Sequence, residues 1–323
     1  MSQDLANAAV TPAEPGRGRA FRAYLEAGAG ACGLWRLLPG LLVVLLCWLG
    51  STALVLIGLV LFRMHQGMST EAALADLPDL IDGGGPDMVA VLLATFFGIW
   101  IGFALVLPLL HRRRFSTLFG ADGSLGTGEL IRGAALGILF YLITLAGALA
   151  VGPPPIRTEL PLDIWAAWLT VLLVCVFIQA GGEELIFRGY LAQEIGRRLP
   201  HPLAWALIPS MIFGLLHYSP DLPGVTGLLY AVVTCIFGLT AAALVWRTGR
   251  LGAAIGLHLG FNICGLSLAG LEGVVSGSQL WLFRQEGSTP LFLADAAGSL
   301  ALLALVLSPL GGRLFPGDRR RPA

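Results

Sequence analysis

Two adjacent glutamates and an arginine directly follow an apolar run that is long enough to lie in a membrane. Glu183, Glu184 and Arg188 come after the run 164–180. Each ionisable group costs about 2.5–3.5 kcal/mol at the centre of a membrane helix, so such groups persist where they face each other or a wet cavity. Glu184 and Arg188 are four residues apart and share a helix face, which predicts an ion pair. Glu183, about 100° further around the helix, can face something else, so the cluster is either part of a functional site or an ion network that only orders the helices.

Two later segments carry polar side chains with the same four-residue spacing. Phe213 precedes His217 near the end of one segment, and His258 precedes Asn262 early in another. Taken singly, His217 is an interfacial residue with Phe213 packed beside its ring, and His258 with Asn262 is an interhelical hydrogen bond. Taken with Glu183, they provide what water-mediated hydrolysis needs, namely a base for the water and donors for the developing oxyanion.

The same side chains could instead bind zinc. Two histidines and one glutamate form a common catalytic zinc site, in which the metal lowers the pKa of its bound water. The candidate ligands are Glu183, His217 and His258. The chain has no HExxH, the helical signature of many zinc proteases. Zinc is therefore the one cofactor that the residues leave open, beside a metal-free mechanism.

The composition indicates an integral membrane protein. The 323 residues are 56% hydrophobic and 12% charged, with a mean hydropathy of +0.80, whereas about 25% of the residues in soluble proteins are charged. The 20 basic and 20 acidic residues balance, so net charge does not indicate a nucleic-acid partner. The five cysteines form no CxxC pair, which favours small hydrophobic residues over a disulfide framework.

Apolar segments of about 20 residues, the length that a membrane helix requires, predict an all-α, polytopic transmembrane helix bundle with about eight helices. The segments are 37–61, 88–110, 131–151, 164–180 with an extension, 203–216, 228–245, 252–269 and 291–310. We expect a cytoplasmic arm at 1–36 with a short helix near residues 21–27. A transmembrane domain at 37–310 and a basic cytoplasmic tail at 311–323 follow.

Arginine placement predicts the orientation, because positively charged loops stay cytoplasmic. Arginines precede the first segment and follow the second, fourth, sixth and eighth, so both termini are predicted to be cytoplasmic. The groups are Arg17, Arg19, Arg22 and Arg36, then Arg112, Arg113 and Arg114, then Arg197 and Arg198, then Arg247 and Arg250, then Arg313, Arg319, Arg320 and Arg321. Among the remaining polar residues, we expect His65, His111 and His201 to be solvated. Asp295 is expected to be an isolated acid near the outer interface.

The three motifs, in this order and on separate helices, resemble the CAAX prenyl protease and bacteriocin-processing family, also called CPBP or Abi. That family's pattern is EExxxR, then FxxxH, then HxxxN or HxxxD. The matching residues are Glu183, Glu184, Arg188, Phe213, His217, His258 and Asn262. The resemblance covers about 164–269 and implies an intramembrane endopeptidase.

The resemblance also implies a role for each matching residue. Glu183 with His217 would activate water, and His258 with Asn262 would stabilise the oxyanion. The supporting residues would be Glu184, Arg188 and Phe213. The implied substrate is a peptide or protein within or at the lipid bilayer of a bacterial cell (inner) membrane, and a prenylated substrate is not carried over. The alternatives are a non-catalytic membrane immunity or scaffold protein and, less favoured because no inverted repeat is visible, a small transporter.

Straight helices would not bring these residues together. With a rise of about 1.5 Å per residue, Glu183 lies roughly 21 Å from the cytoplasmic end of its helix and His258 only about 12 Å from the start of its own. We therefore expect a bend at Pro209 or at the pair Gly181 and Gly182, or in the amphipathic end of the fourth segment. The site is then expected in a water-filled cavity between mid-depth and the cytoplasmic side.

Overall fold

The computed structural model describes residues 18–30, 33–75, 77 and 84–317. These residues form an all-α helix bundle with one small sheet, which confirms the predicted fold class. The predicted short helix of the arm is present, whereas residues 1–17 of that arm and the tail beyond 317 lie outside the described residues.

The helices follow the predicted apolar segments closely. They are α1 (Arg19–Ala27), α2 (Leu37–His65), α3 (Thr70–Ala75), α4 (Pro86–Ala94), α5 (Phe97–Leu109), α6 (Thr127–Val151), α7 (Leu162–Glu184), α8 (Ala192–Gly196), α9 (Ile208–Leu215), α10 (Thr226–Thr248), α11 (Gly252–Ser267), α12 (Thr289–Leu307) and α13 (Pro309–Leu314). A π-helix, Leu185–Leu191, joins α7 to α8, and a second, Leu203–Leu207, precedes α9. Short 3₁₀-helices lie at Leu34–Arg36 and Phe115–Leu118.

Six stretches of the described residues are long and apolar enough to cross a membrane. They are α2, α4 with α5 (Pro86–Leu109), α6, α7 through α8 (Leu162–Gly196), α10 and α12. Two shorter apolar helices, Leu203–Leu215 and α11, coincide with the remaining two predicted segments. The protein is thus an integral multi-pass membrane protein, while the count of eight crossings and the orientation stay predictions.

Burial separates the helices that face lipid from those that form the core. Helix α2 exposes large hydrophobic side chains such as Leu38 and Leu54, each more than 70% exposed, and its buried residues are few. Helix α10 is mostly buried, and α11 is buried from Gly252 to His258. A helix that is apolar all round needs either a protein interior or lipid around it. Helices α10 and α11 therefore form the inner layer against which the outer helices pack.

Close contact between α6 and α11 positions the third motif. A Cβ atom on Gly256 or on Gly260 would collide with backbone carbonyl oxygens of α6. Small residues at such contacts let two membrane helices approach until their backbones touch. The two glycines lie either side of His258 in sequence, so the contact holds the start of α11 firmly and directs His258 and Asn262 away from α6.

The irregular part of the fourth segment lies after the double glutamate. Helix α7 runs through Gly181 and Gly182 without interruption, and a Cβ atom on Gly181 would collide with the ring of Trp100. This glycine therefore serves close packing. The π-helical turns begin at Leu185, directly after Glu184, and such wide turns are frequent at functional sites. Pro209, which has no amide hydrogen, lies two residues after the end of the second π-helix, so the helix Leu203–Leu215 changes from π to α geometry beside this residue.

A three-stranded sheet, which the sequence analysis did not predict, covers one end of the bundle. Strands β1 (Ile156–Arg157), β2 (Ala269–Leu271) and β3 (Trp281–Phe283) are arranged in the order β1-β3-β2. Strand β3 pairs antiparallel with β1 and parallel with β2. The sheet lies in the loops α6–α7 and α11–α12, at the opposite ends of these helices from the arginine groups.

Candidate active site

Glu184 is the centre of a buried ion network. Its Oε1 accepts a hydrogen bond from Nη1 of Arg188 and another from Nδ1 of His258, each at 2.9 Å. Glu184 and Arg188 are almost fully inaccessible, and His258 is 3% exposed. The ion pair expected from the four-residue spacing is thus present, and it gains a second donor from α11. A buried carboxylate with two such donors holds the two helices in register.

His258 lies between the two glutamates. Its Nδ1 donates to Glu184, and its Nε2 lies 3.6 Å from Oε2 of Glu183. That distance is longer than a hydrogen bond. Within the described residues, Oε2 of Glu183 accordingly has no hydrogen-bond partner. His258 therefore lies against Glu183 and leaves Oε2 of that carboxylate without a hydrogen bond.

His217 has a defined tautomer. Its Nδ1 lies 2.8 Å from the backbone carbonyl oxygen of Phe213, and since a carbonyl oxygen can only accept, Nδ1 carries the proton. This bond forms because His217 follows the last turn of α9, where carbonyl oxygens have no helical donor left. The other ring nitrogen, Nε2, is then an acceptor in the neutral imidazole and can accept a proton or a hydrogen bond from water.

Phe213 packs at the middle of the site. Its ring centroid lies 4.6 Å from that of His217 and 5.9 Å from that of His258. The guanidinium carbon of Arg188 lies 4.6 Å from the same centroid, within the range of a cation–π contact. The sequence predicted Phe213 only beside the first imidazole, whereas the structure brings all three motifs against this ring.

Asn262 lies on the wall of the site with a partner that the sequence analysis missed. Its Nδ2 donates to Oε1 of Gln179 at 3.1 Å. Gln179 precedes Glu183 by four residues, so the spacing that linked Glu184 to Arg188 would also have placed Gln179 on the face of Glu183. One amide hydrogen of Asn262 stays available for another acceptor.

A cavity of about 540 Å³ lies between these residues and the sheet. Such a volume is typical of sites that enclose small ligands or a few peptide residues. Most of the lining is apolar, and the side chains from the predicted site that face it are Glu183, His217 and Asn262. His258 does not line the cavity. The two residues expected to act together, His258 and Asn262, are therefore separated: the histidine lies behind the glutamates, and the asparagine faces the cavity.

The cavity extends in the direction opposite to the one expected. Gln179 and Asn262 lie one turn from Glu183 and His258 towards the sheet, and residues of β2 and β3 also line the cavity. A site between mid-depth and the arginine end was predicted from the sequence. The arginine end of the bundle is filled by other side chains.

Those side chains form a second buried polar network. His111, expected to be solvated, is 1% exposed, and its Nε2 lies 2.7 Å from the hydroxyl of Tyr190. Arg113 donates to Oε1 of Gln193 at 2.6 Å, and its Nη2 lies 3.4 Å from Oε1 of Glu194. The expectation for His111 was wrong because the arginine-rich loop after α5 folds back onto α8. We call these five residues the anchoring cluster.

Three further polar residues were predicted to lie apart from the site. His65 and His201 are exposed, as expected. Asp295 is only partly buried and lines the cavity beside the predicted site instead of lying apart from it. The sequence predicted an isolated acid because spacing within α12 does not reveal that α12 packs against α10.

The zinc alternative does not fit this arrangement. Within the described residues, no three side chains of His, Cys, Asp or Glu converge as a metal site requires. Nδ1 of His258 is engaged by Glu184, and its Nε2 faces Glu183. We therefore derive no step through a metal, and zinc stays a prediction that metal analysis tests.

Comparisons with known proteins place the motifs in a family. Residues 164–264 match a family model described as type II CAAX prenyl endopeptidase Rce1-like. Uncharacterized protein YyaK of Bacillus subtilis (strain 168) is 34% identical over 102 residues, which are 31% of this chain and 33% of that protein. The chain thus matches about a third of that relative's length, and no solved structure matches it. Residues 164–264, which contain all three motifs, are therefore similar to Rce1-like endopeptidases, in agreement with the resemblance of the motifs to the CAAX prenyl protease and bacteriocin-processing family.

Proposed function

We propose that the protein is an intramembrane endopeptidase that hydrolyses a peptide bond with water activated by Glu183 and His217. One observation carries the proposal. Both side chains line one cavity: the Glu183 side chain is 12% exposed and makes no hydrogen bond within the described residues, and Nε2 is the ring nitrogen of His217 left to accept because Nδ1 is bonded to Phe213. Nδ1 of His217 is engaged by the carbonyl oxygen of Phe213, and Oε1 of Glu184, beside Glu183 in sequence, accepts from Arg188 and His258.

The hydrolysis needs one proton acceptor and one oxyanion donor. A water molecule in the cavity gives a proton to Glu183 while its oxygen attacks the carbonyl carbon of the substrate, with His217 Nε2 orienting the water. The remaining amide hydrogen of Asn262 donates to the oxyanion of the tetrahedral intermediate. The carbon–nitrogen bond then breaks, and the proton held by Glu183 passes to the leaving nitrogen. The products are a carboxylic acid and an amine, and transfer of the acid's proton to the amine then gives a carboxylate and an ammonium group.

His258, Glu184 and Arg188 position the base in this scheme. The bond from Nδ1 of His258 to Glu184 fixes the ring so that Nε2 faces Glu183 at 3.6 Å. A small shortening of this distance would create a hydrogen bond between Nε2 of His258 and the carboxyl group of Glu183 when Glu183 gains a proton. The charge of Glu184 is compensated by Arg188 at 2.9 Å. We therefore propose an orienting role for His258 in place of the oxyanion role that the family pattern implies.

The family match supports a membrane protease, and the rest of the scheme is our proposal. The relative YyaK is uncharacterized and supplies no substrate. We propose a peptide or protein substrate within the bacterial cell (inner) membrane, without a requirement for prenylation. No described contact favours the transporter or the non-catalytic alternative.

The test uses the full chain in proteoliposomes with a pooled library of membrane-inserting peptides and detection of cleavage products by mass spectrometry. We expect Glu183→Gln and His217→Ala each to lower the cleavage rate by about 10²–10⁴-fold, the contribution of a positioned acid–base group. The thermal unfolding midpoints should stay near that of the wild type. The matched controls are Glu159→Gln and His201→Ala, which change the same residue types at exposed positions.

Two outcomes would contradict the proposal. Full activity in both site variants would exclude Glu183 and His217 as the activating pair. Loss of the folded protein in both would favour an ion network that only orders helices. Stoichiometric zinc in active protein, with activity lost on chelation and restored by the metal, would establish the zinc mechanism instead.

A further inference from the structure

Asp295 contributes a second carboxylate to the cavity, from a helix outside the family match. It lies in α12, while the match ends at residue 264. Its Oδ1 is inaccessible to solvent and has no hydrogen-bond partner in the described part of the chain. No ion pair to Asp295 is present among those residues either. A carboxylate in apolar surroundings without a partner is costly, so a ligand that brings the partner gains binding energy.

The other two acids of the site each face a basic side chain, although one oxygen of each, Oε2, also has no hydrogen-bond partner in the described residues. Glu184 is compensated by Arg188 and His258. Glu183 faces Nε2 of His258, although at 3.6 Å. Asp295 has no such neighbour, so its charge is the one that the chain leaves uncompensated.

The cavity as a whole favours a cation. Two acids, Glu183 and Asp295, line it, and no arginine does. The chain contains no lysine. Clefts lined by one sign of charge with apolar walls focus the field and concentrate ligands of the opposite sign. An apolar cavity with a carboxylate at one wall also suits lysine or arginine, whose aliphatic stem packs while the charged end finds its partner.

Aromatic rings lie between Asp295 and the residues proposed to activate water. Tyr230 lies between the two, with its ring centroid 5.9 Å from that of His217 and 5.7 Å from that of Phe292. Phe292 and Asp295 are three residues apart on α12 and share a face. Aromatic faces beside a carboxylate add cation–π attraction for a bound guanidinium or ammonium group.

We propose that Asp295 binds a lysine or arginine side chain of the substrate and thereby selects peptides with a cationic residue near the cleaved bond. The inference rests on the proposed function for its physiological meaning. The cation-binding subsite at Asp295 can be tested by measuring peptide binding, without any cleavage.

The binding test compares two dansyl-labelled peptides of the sequence Leu-Ala-X-Ala-Leu, in which X is arginine or citrulline. Citrulline keeps the shape of arginine and removes its charge. Fluorescence polarisation with the full chain in nanodiscs should show the arginine peptide bound at least tenfold tighter by the wild type. Asp295→Asn should bring the ratio of the two affinities close to one, and Asp295→Glu should retain part of the preference. Asp163→Asn, at an exposed position in the first turn of α7, is the matched control and should keep the wild-type ratio.

The outcomes separate this inference from the proposed function. Equal binding of the two peptides by the wild type, or an unchanged ratio in Asp295→Asn, would overturn the role of Asp295. So would a preference that Glu183→Gln abolishes and Asp295→Asn does not. Asp295→Ser replaces Asp295→Asn if that variant does not accumulate. A clear arginine preference in binding, with no cleavage of arginine-containing library peptides, would contradict the peptidase proposal and leave the cation subsite standing.

Discussion

The continuous helix Leu162–Gly196 carries two buried polar networks that differ in how completely they are partnered. In the anchoring cluster, Oε2 of Glu194 accepts from Arg198 at 2.9 Å, and the side-chain amide of Gln193 is bonded through both its oxygen and its nitrogen. Arg113 keeps one unpartnered nitrogen, Nε. In the site cluster, which comprises Glu183, Glu184, Arg188, His217 and His258, four buried polar atoms have no hydrogen-bond partner in the described residues: Oε2 of both glutamates, and Nε and Nη2 of Arg188. Of these side chains, Glu183 and His217 line the cavity. Buried charge alone therefore does not mark a functional site; an unpartnered acceptor beside a cavity does.

The anchoring cluster is a buried polar network of similar composition that connects helices and lies away from the cavity. Nε2 of Gln193 donates to backbone carbonyl oxygens of Tyr24 in α1 and of Thr117 after α5. Burial lowers the pKa of His111, and the carboxylate of Glu194 opposes that shift. None of its five residues lines the cavity. The cluster ties α1 and the loop after α5 to α8, which closes the arginine end of the bundle.

The largest expected effect comes from removing the charge at the centre of the site cluster. Glu184→Gln leaves Arg188 buried without a counterion, and breaking a buried pair in this way costs about 3–5 kcal/mol of unfolding free energy. We also expect a loss of cleavage, because His258 loses the bond that directs Nε2 towards Glu183. Denaturant unfolding in detergent and the cleavage assay measure the two effects. If the Glu184→Gln variant had the stability and the cleavage rate of the wild type, the pair of Glu184 with Arg188 would contribute to neither.

A smaller effect is expected in the anchoring cluster, and only on stability. Arg113→Met removes the charged donor to Gln193 and Glu194, and hydrogen bonds of charged groups contribute about 1.5–3 kcal/mol. Since no residue of this cluster lines the cavity, the cleavage rate per folded molecule should stay at the wild-type value. The same unfolding and cleavage measurements apply. A rate loss comparable to that of Glu183→Gln, in folded protein, would erase the distinction between the two networks.

The smallest effect concerns an exposed ion pair in the loop between α5 and α6. Partial burial of Asp122 opposes its ionisation, but hydrogen bonds from Arg250 and Ser124 outweigh this and lower its pKa to about 2. Because the folded pKa lies below the ordinary value of about 4, the stabilisation is present above pH 4 and is lost as the pH falls through 2. For a pair this exposed we expect about 0.2–1 kcal/mol.

Thermal unfolding of the wild type and Asp122→Asn at pH 6 and at pH 2 measures this contribution. The two proteins should differ at pH 6, and the difference should be much smaller at pH 2, where about half of Asp122 is protonated in the folded protein. A difference that is equal at both values would assign the effect of the substitution to something other than the charge of Asp122.

The sequence was sufficient for every feature that depends on composition or on spacing within one helix. The apolar segments follow from hydropathy, and each coincides with a helix or helix pair. The pair of Glu184 with Arg188 follows from their four-residue separation, and the same rule would have found Gln179 one turn before Glu183. The three motifs indicated the family that the comparisons confirmed for residues 164–264.

Features that depend on contacts between distant segments were decided only by the tertiary structure. His111 and Asp295 are single polar residues in sequence. The surroundings of His111 come from the π-helix Leu185–Leu191 and α8, and those of Asp295 come from α10. Whether a histidine meets water, a carboxylate or a carbonyl oxygen depends on which helix packs beside it, as His258 and His217 show. The direction of the cavity has the same origin, because the anchoring cluster fills one end of the bundle and leaves space at the other. Local spacing specifies which face of a helix a side chain occupies, and packing between helices specifies what that face meets.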